Sequence, residues 1–318
     1  MKDFQLGAAT YLKSVAIRVK DRDKMIDFYK NVVGFDLKRE ENELAILGTE
    51  EAGSEMLLLE ESPRANDHMG VIKKLNRFSL IIPSTEEMAD ILCRIRKMNY
   101  PIKEALEDHG RMGILLVDPE ENELEIYHEE NKNDQREIPE TMDQEALLRK
   151  SEEKFSKLST GSYFEKIHLN VTNLTKERQF LNHVLGLKVH NEEEGIHVLN
   201  EGDFHVGLTE ASGGAIDLPT DEVIGLDFLK FMIDTESMEG LIAHLQQLSV
   251  DFFLDKKHTV LTIYDAIGIE WWFVSEPKER IKLTFDATLN FFFLNDCRMS
   301  RHFMNGHTIA YSRDRKRK

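Results

Sequence analysis

Lys24–Phe35 reads KMIDFYKNVVGF, and Lys176–Leu187 reads KERQFLNHVLGL. Aligned at an offset of 152 positions, the two stretches share Lys24/Lys176, Phe28/Phe180, Val32/Val184 and Gly34/Gly186. Apolar residues also match at Val33/Leu185 and Phe35/Leu187, and the preceding Lys13–Val19 (KSVAIRV) matches Glu165–Val171 (EKIHLNV) at the same offset. Self-similarity of this kind fixes architecture before local structure is considered. Val15, Ile17 and Val19 alternate with Ala16 and Arg18, the pattern of a half-buried strand. Met25, Phe28, Tyr29 and Val32 recur at helical spacing, and Gly34 follows where a left-handed cap is needed. Three short apolar stretches come next, near 35–38, 44–47 and 56–59, so the unit is βαβββ.

The unit starts twice more, at Asn76 and Leu226. Phe78–Ile82 predicts a strand, Glu86–Met98 a helix, and Gly113–Val117 and Glu123–Tyr127 later strands. Leu229–Ile233, Met238–Leu248, Val260–Tyr264 and Ile269–Val274 repeat the series. The expected fold is α+β, with four βαβββ modules paired into two tandem cup-shaped domains, 8–130 and 163–277. The polar, acidic segment 131–162 is the expected connector, and 278–318 is a basic tail with no counterpart in the first half. Paired modules complete each cup within one chain, so dimerisation is not required for a site.

Composition narrows the function. A net charge of −17 argues against nucleic-acid binding, which needs clustered Lys and Arg. The charge is uneven: 278–318 holds ten Lys/Arg against four Asp/Glu and ends in Arg313-Asp314-Arg315-Lys316-Arg317-Lys318. Two distant cysteines, Cys93 and Cys297, give neither a disulfide framework nor a cysteine zinc site. No apolar run approaches the roughly 18 residues of a membrane helix, and the N-terminus lacks a signal-peptide core. A cytoplasmic protein with no membrane partner is expected.

The modules resemble the vicinal oxygen chelate superfamily: glyoxalase I, bleomycin-resistance proteins and type I extradiol dioxygenases. Glu107-Asp108-His109-Gly110, then Asp118-Pro119-Glu120-Glu121-Asn122-Glu123-Leu124-Glu125-Ile126-Tyr127, is similar to the family's D-H-G … D-P-x-G-N-x-x-E-I-Y, with Glu121 in place of Gly. Length and domain order look most like two-domain catechol 2,3-dioxygenases. The resemblance implies helices outside each cup and, in the C-terminal cup, Fe(II) or Mn(II) held by two His and one Glu.

Carried onto this chain, that triad puts metal ligands at His168 and Glu270, while Phe228 stands where the second His belongs. Alternation turns Ile167, Leu169 and Val171 toward the helices, and His168 with Asn170 toward the cup. Asp227 reaches the cup only if its strand slips, which would send Leu229, Phe231 and Ile233 in with it. Lys230 offers Glu270 a salt bridge instead of a metal, and Arg77 offers one to Glu125 in the N-terminal cup. The C-terminal cup is expected to bind a small aromatic molecule through Asn170, Phe228, Lys230, Met232 and Trp272. The resemblance implies a catalytic histidine near the late strands that helps to hold and deprotonate the substrate, for which His258 is the stand-in, and Tyr264 reads as structural. Trp271 is expected to anchor the helix layer, with Trp272 stacking the ligand. His183 reads as a surface residue. A turn at Glu201-Gly202 sets His197 opposite Val206 and Val198 opposite His205, so His197 and His205 point to opposite faces and make no metal site.

Two readings follow. One is an oxidoreductase of the extradiol or glyoxalase type, cleaving a catechol at Fe(II) or Mn(II) held by His168, Glu270 and a third ligand. The other is a metal-free member of the same superfamily that binds a small molecule.

Overall fold

The computed structural model describes residues 4–66, 70–108, 110–129, 140–191, 196–199 and 204–275. His109, the 201–202 turn and the 278–318 tail lie outside them. The first module comprises β1 (Tyr11–Val19), α1 (Arg22–Asp27) extended by a π-turn (Phe28–Val33), β2 (Asp36–Glu41), β3 (Leu44–Gly48) and β4 (Leu57–Glu61). The second comprises β5 (Leu75–Ile81), α2 (Thr85–Lys97), β6 (Glu104–Asp108), β7 (Arg111–Val117) and β8 (Glu123–Glu129). After a short β9 (Glu140–Thr141) and α3 (Gln144–Leu148), the third has β10 (Tyr163–Val171), α4 (Leu174–Gln179) with its own π-turn (Phe180–Val184), β11 (Lys188–Asn191), β12 (Ile196–Leu199) and β13 (Phe204–Glu210). The fourth has β14 (Gly225–Met232), α5 (Thr235–Leu248), β15 (Phe253–Leu254), β16 (Val260–Tyr264) and β17 (Glu270–Val274). The α+β class and all four modules are as expected.

Each module's helix starts where a short polar side chain takes a free amide of the first turn. Asp21, Ser84, Asn173 and Asp234 accept from Lys24, Glu87, Lys176 and Ser237 respectively. Ile167, Leu169 and Val171 face the helices and are fully buried, as alternation required. They join one core that includes helix-side residues of both sheets, tied across modules by Phe35 stacked on Phe164 at 6.1 Å. Trp271 anchors this layer, stacked on Phe231 at 5.6 Å, with its indole N–H donated to Asp265.

The pairing of modules departs from the expectation. The eight-stranded sheet runs β15-β16-β17-β14-β1-β4-β3-β2, and the nine-stranded sheet β11-β12-β13-β10-β5-β8-β7-β6-β9. Module one therefore pairs with module four, and module two with module three. The cause lies in the connector. Glu87 and Asp90 on α2 are buried and take the backbone amides of Ser159 and of Glu152, Glu153 and Phe155. Arg94 donates to the carbonyls of Phe155 and Val33. Residues 151–159 are thereby held on α2, and the chain returns antiparallel along the free edge of β5. The edge of β1 is left for β14.

Candidate functional site

The site is built on four central strands of the nine-stranded sheet. Two cross-strand rows form its floor: Gly207–His168–Arg77–Glu123, and His205–Lys166–Ser79–Glu125. Above them lies a cavity of about 290 Å³, lined by Arg77, Ser79, Glu125, Lys166 and His168 of these rows and by Asn76, Arg111, Tyr127, Glu165 and Thr209. Two bulges widen the polar lining. Glu165 is the extra residue between Phe164↔Leu80 and Lys166↔Ser79, and Asn76 the extra one between Arg77↔His168 and Leu75↔Leu169. The first bulge turns Phe164 into the core and Glu165 into the cavity, the reverse of simple alternation.

Ion pairs order the walls. Arg77 donates from Nε and Nη2 to Glu123 at 3.2 and 3.1 Å. Arg111 lies 4.4 Å from the Tyr127 ring centre and donates to both oxygens of Glu165. Tyr127 donates its hydroxyl to Glu165 as well. Burial pushes the Glu165 carboxyl up, against the pull of Arg111. Glu125 accepts from the Ser79 hydroxyl at 2.6 Å.

His168 lies across Gly207, and its Nε2 is 2.7 Å from the Thr209 hydroxyl. Burial, then the charges of Lys166 and Arg77, push its imidazole down to about 4. The ring is therefore neutral at physiological pH. A Cβ at position 207 would meet His168 Nδ1 at 2.5 Å. Gly207→Ala is therefore expected to displace the ring and cost about 1–3 kcal/mol. An unchanged melting temperature together with an unshifted His168 imidazole NMR signal would refute this.

The sequence-derived site does not assemble. His168 and Asn170 belong to the nine-stranded sheet, whereas Phe228, Lys230, Met232, Glu270 and Trp272 belong to the eight-stranded one. Asn170 is buried and holds Asn76 and the Lys73 carbonyl. Phe228 stacks on Trp272 at 4.6 Å and packs with Ala16, Ile46 and Leu58, so these rings fill the face expected to receive an aromatic ligand. Met232 is buried. Lys230 pairs with Glu55 at 3.6 Å rather than with Glu270. Glu270 instead accepts from Tyr264 at 3.0 Å and from the Trp272 indole at 2.6 Å. Arg77 pairs with Glu123, not Glu125. His258 occupies an exposed turn with φ of 55°. His183 is exposed, and the registers His197↔Val206 and Val198↔His205 are as expected. A bulge admits Asp227 to its salt bridge with Arg18 at 2.9 Å while Leu229, Phe231 and Ile233 stay buried.

The preceding turns correct the alignment of Glu270. Asp118 accepts the amides two and four residues on, and Asp265 does the same. Glu121 and Gly268 match within these turns, both left-handed, at φ of 61° and 81°. The counterpart of Glu125 is therefore Trp272, and that of Glu270 is Glu123.

These residues do not fit the implied Fe(II) or Mn(II). Among the described residues no three His, Cys, Asp or Glu side chains gather to hold a metal. In the polar cup His168 is flanked by an arginine and a glycine. In the other, Ala16, Leu58, Phe228 and Trp272 offer no donor suited to iron or manganese. No helix among the described residues is long and apolar enough to cross a membrane.

Residues 11–126 match the family Glyoxalase/Bleomycin resistance protein/Dioxygenase superfamily, and residues 159–273 match the family CppA C-terminal. The chain is 24% identical over 250 residues to Catechol-2,3-dioxygenase of Bacillus subtilis (strain 168), covering 74% of this chain and 87% of that protein. The crystal structure of the cppA protein from Streptococcus pneumoniae TIGR4 is similar, with a TM-score of 0.58 at 18% identity, over 86% of this chain and 99% of that one. Glyoxalase I from Zea mays aligns at a TM-score of 0.52 and 15% identity, over 84% and 92% of the two chains. The match over 11–126 makes that segment a domain of the Glyoxalase/Bleomycin resistance protein/Dioxygenase superfamily, set in a chain of four βαβββ modules in two mixed sheets.

Proposed function

We propose that this chain binds a small polar molecule, without a metal ion, in the cup of the nine-stranded sheet. The observation that carries this reading is the row Gly207–His168–Arg77. A guanidinium stands beside the one histidine that resemblance assigned to a metal, so a divalent ion there would face a fixed cation. The cavity above the row is lined by groups that orient polar ligands: Arg77, Arg111, Tyr127, Lys166, His168 and Thr209. On the other sheet the corresponding face is filled by the Phe228–Trp272 stack. Cleavage of a catechol, suggested by the Bacillus subtilis relative's name, would by the family resemblance use Fe(II) or Mn(II), for which the described residues gather no matching donor set.

The test is metal content after anaerobic incubation with Fe(II) or Mn(II) and desalting. The expected result is far less than one metal per chain, with no oxygen uptake on adding catechol. One tightly held metal per chain, lost in His168→Ala and Glu125→Gln, would overturn the proposal.

A further inference from the structure

Resting on the assignment of the ligand site to this polar cup, we propose that the ligand is a small carboxylic acid with a hydrogen-bond donor, hydroxyl or ammonium, close to the carboxylate. The argument begins with which charges in the cavity are already committed. Arg77 is held by Glu123, and Arg111 by Glu165 with Glu129 at 3.6 Å. Lys166 makes no salt bridge within 4 Å among the described residues, and Glu125 has the neutral Ser79 hydroxyl as its hydrogen-bond partner. Lys166 and Glu125 stand in one row on either side of Ser79. With strands about 4.8 Å apart, their backbones are about 10 Å from each other. The small serine between them leaves a hollow whose two ends carry opposite charge.

That polarity selects a class of ligand. The Lys166 end suits a carboxylate, through a charge-assisted hydrogen bond. His168 beside it is kept neutral by burial first and then by the charges of Lys166 and Arg77, and those two cations are what an anion needs at that end. The Glu125 end accepts hydrogen bonds and repels a second negative group. An inorganic phosphate dianion would carry its second charge toward Glu125 unfavourably, whereas a hydroxyl or ammonium group would donate to Glu125. A cavity of about 290 Å³ lies at the lower limit for ligand pockets, which suits a molecule of metabolite size.

The test is titration calorimetry on the full chain with L-lactate and L-serine, against propionate and inorganic phosphate. L-lactate and L-serine are expected to bind at least about tenfold tighter than either comparator. Lys166→Met should weaken both by a similar factor, and Glu125→Gln should abolish the advantage of L-lactate over propionate. Equal binding of propionate or phosphate, binding unaffected by Lys166→Met, or no binding of either substituted acid would each overturn the inference. A fragment screen with Thr209→Phe, which plugs the exposed rim of the cup, separates the two levels of the argument. Neutral fragments displaced by the plug would leave the cup as the ligand site and sink only the acid assignment. If the plug displaces nothing, both proposals fail.

Discussion

Asp118→Ala is expected to destabilise the protein by about 4 kcal/mol, a large share of the stability of an ordinary domain. The carboxylate is buried and makes four hydrogen bonds. Oδ1 accepts the amides of Glu120 and Asn122 at 2.9 and 2.8 Å, and Oδ2 accepts the Asn122 side chain and the Tyr29 hydroxyl, both at 2.8 Å. Burial pushes this carboxyl up, and the four donors oppose it. Alanine would leave all four donors buried and unsatisfied, at about 1–3 kcal/mol each before relaxation. The damage would spread, because the same turn aims Glu120 at the amides of Lys20 and Asp21 in module one. Tyr29→Phe, which removes one donor, should cost only about 1 kcal/mol. Urea denaturation at neutral pH measures both. A loss below about 1 kcal/mol for Asp118→Ala would mean the turn forms without its acceptor.

Glu177→Gln is expected to have the opposite sign, stabilising by about 2 kcal/mol near pH 8. Glu177 is completely buried on α4, and neither carboxyl oxygen makes a hydrogen bond of normal geometry, although the Ala266 amide lies close. Burial, then the charge of Asp265, raises its proton affinity well above that of an ordinary glutamate. At low pH the group is protonated in both states and costs little. As pH rises past the ordinary glutamate value, near 4.5, the unfolded chain ionises while the folded one keeps its proton, so stability falls. Glutamine cannot ionise and escapes this loss. The variant's gain in melting temperature should therefore be small at pH 4 and grow toward pH 8. A gain that stays constant across that range would show that Glu177 is not the titrating group.

The four modules are legible because each carries its own alternation, helix and cap, all of which are local. Their pairing is not, since β1 and β5 present the same alternating pattern to either β10 or β14. What decides it is the capture of residues 151–159 by Glu87, Asp90 and Arg94, three polar residues on a helix that read as ordinary surface. The same limit explains the site. His168 lies opposite the helix layer, as alternation predicts, but because β10 pairs with β5 it stands near Arg77 and Glu125 instead of Phe228 and Glu270. Glu165 and Asn76 were missed because bulges break the period of two, and nothing in either strand's sequence announces them. One signal was available: the spacing from Asp265 to Trp272 equals that from Asp118 to Glu125 and would have moved the comparison off Glu270.

The nested order of the sheets sets a schedule for folding during synthesis. β5 and β10 close as an inner bracket, whereas β1 waits for β14, which lies some two hundred residues further along the chain. At about 5–20 residues per second, β1 spends roughly 10–40 s with one edge unpaired after it leaves the ribosome. Through that interval the β14 edge of β1 stays open, and the last strands to emerge complete the first ones made.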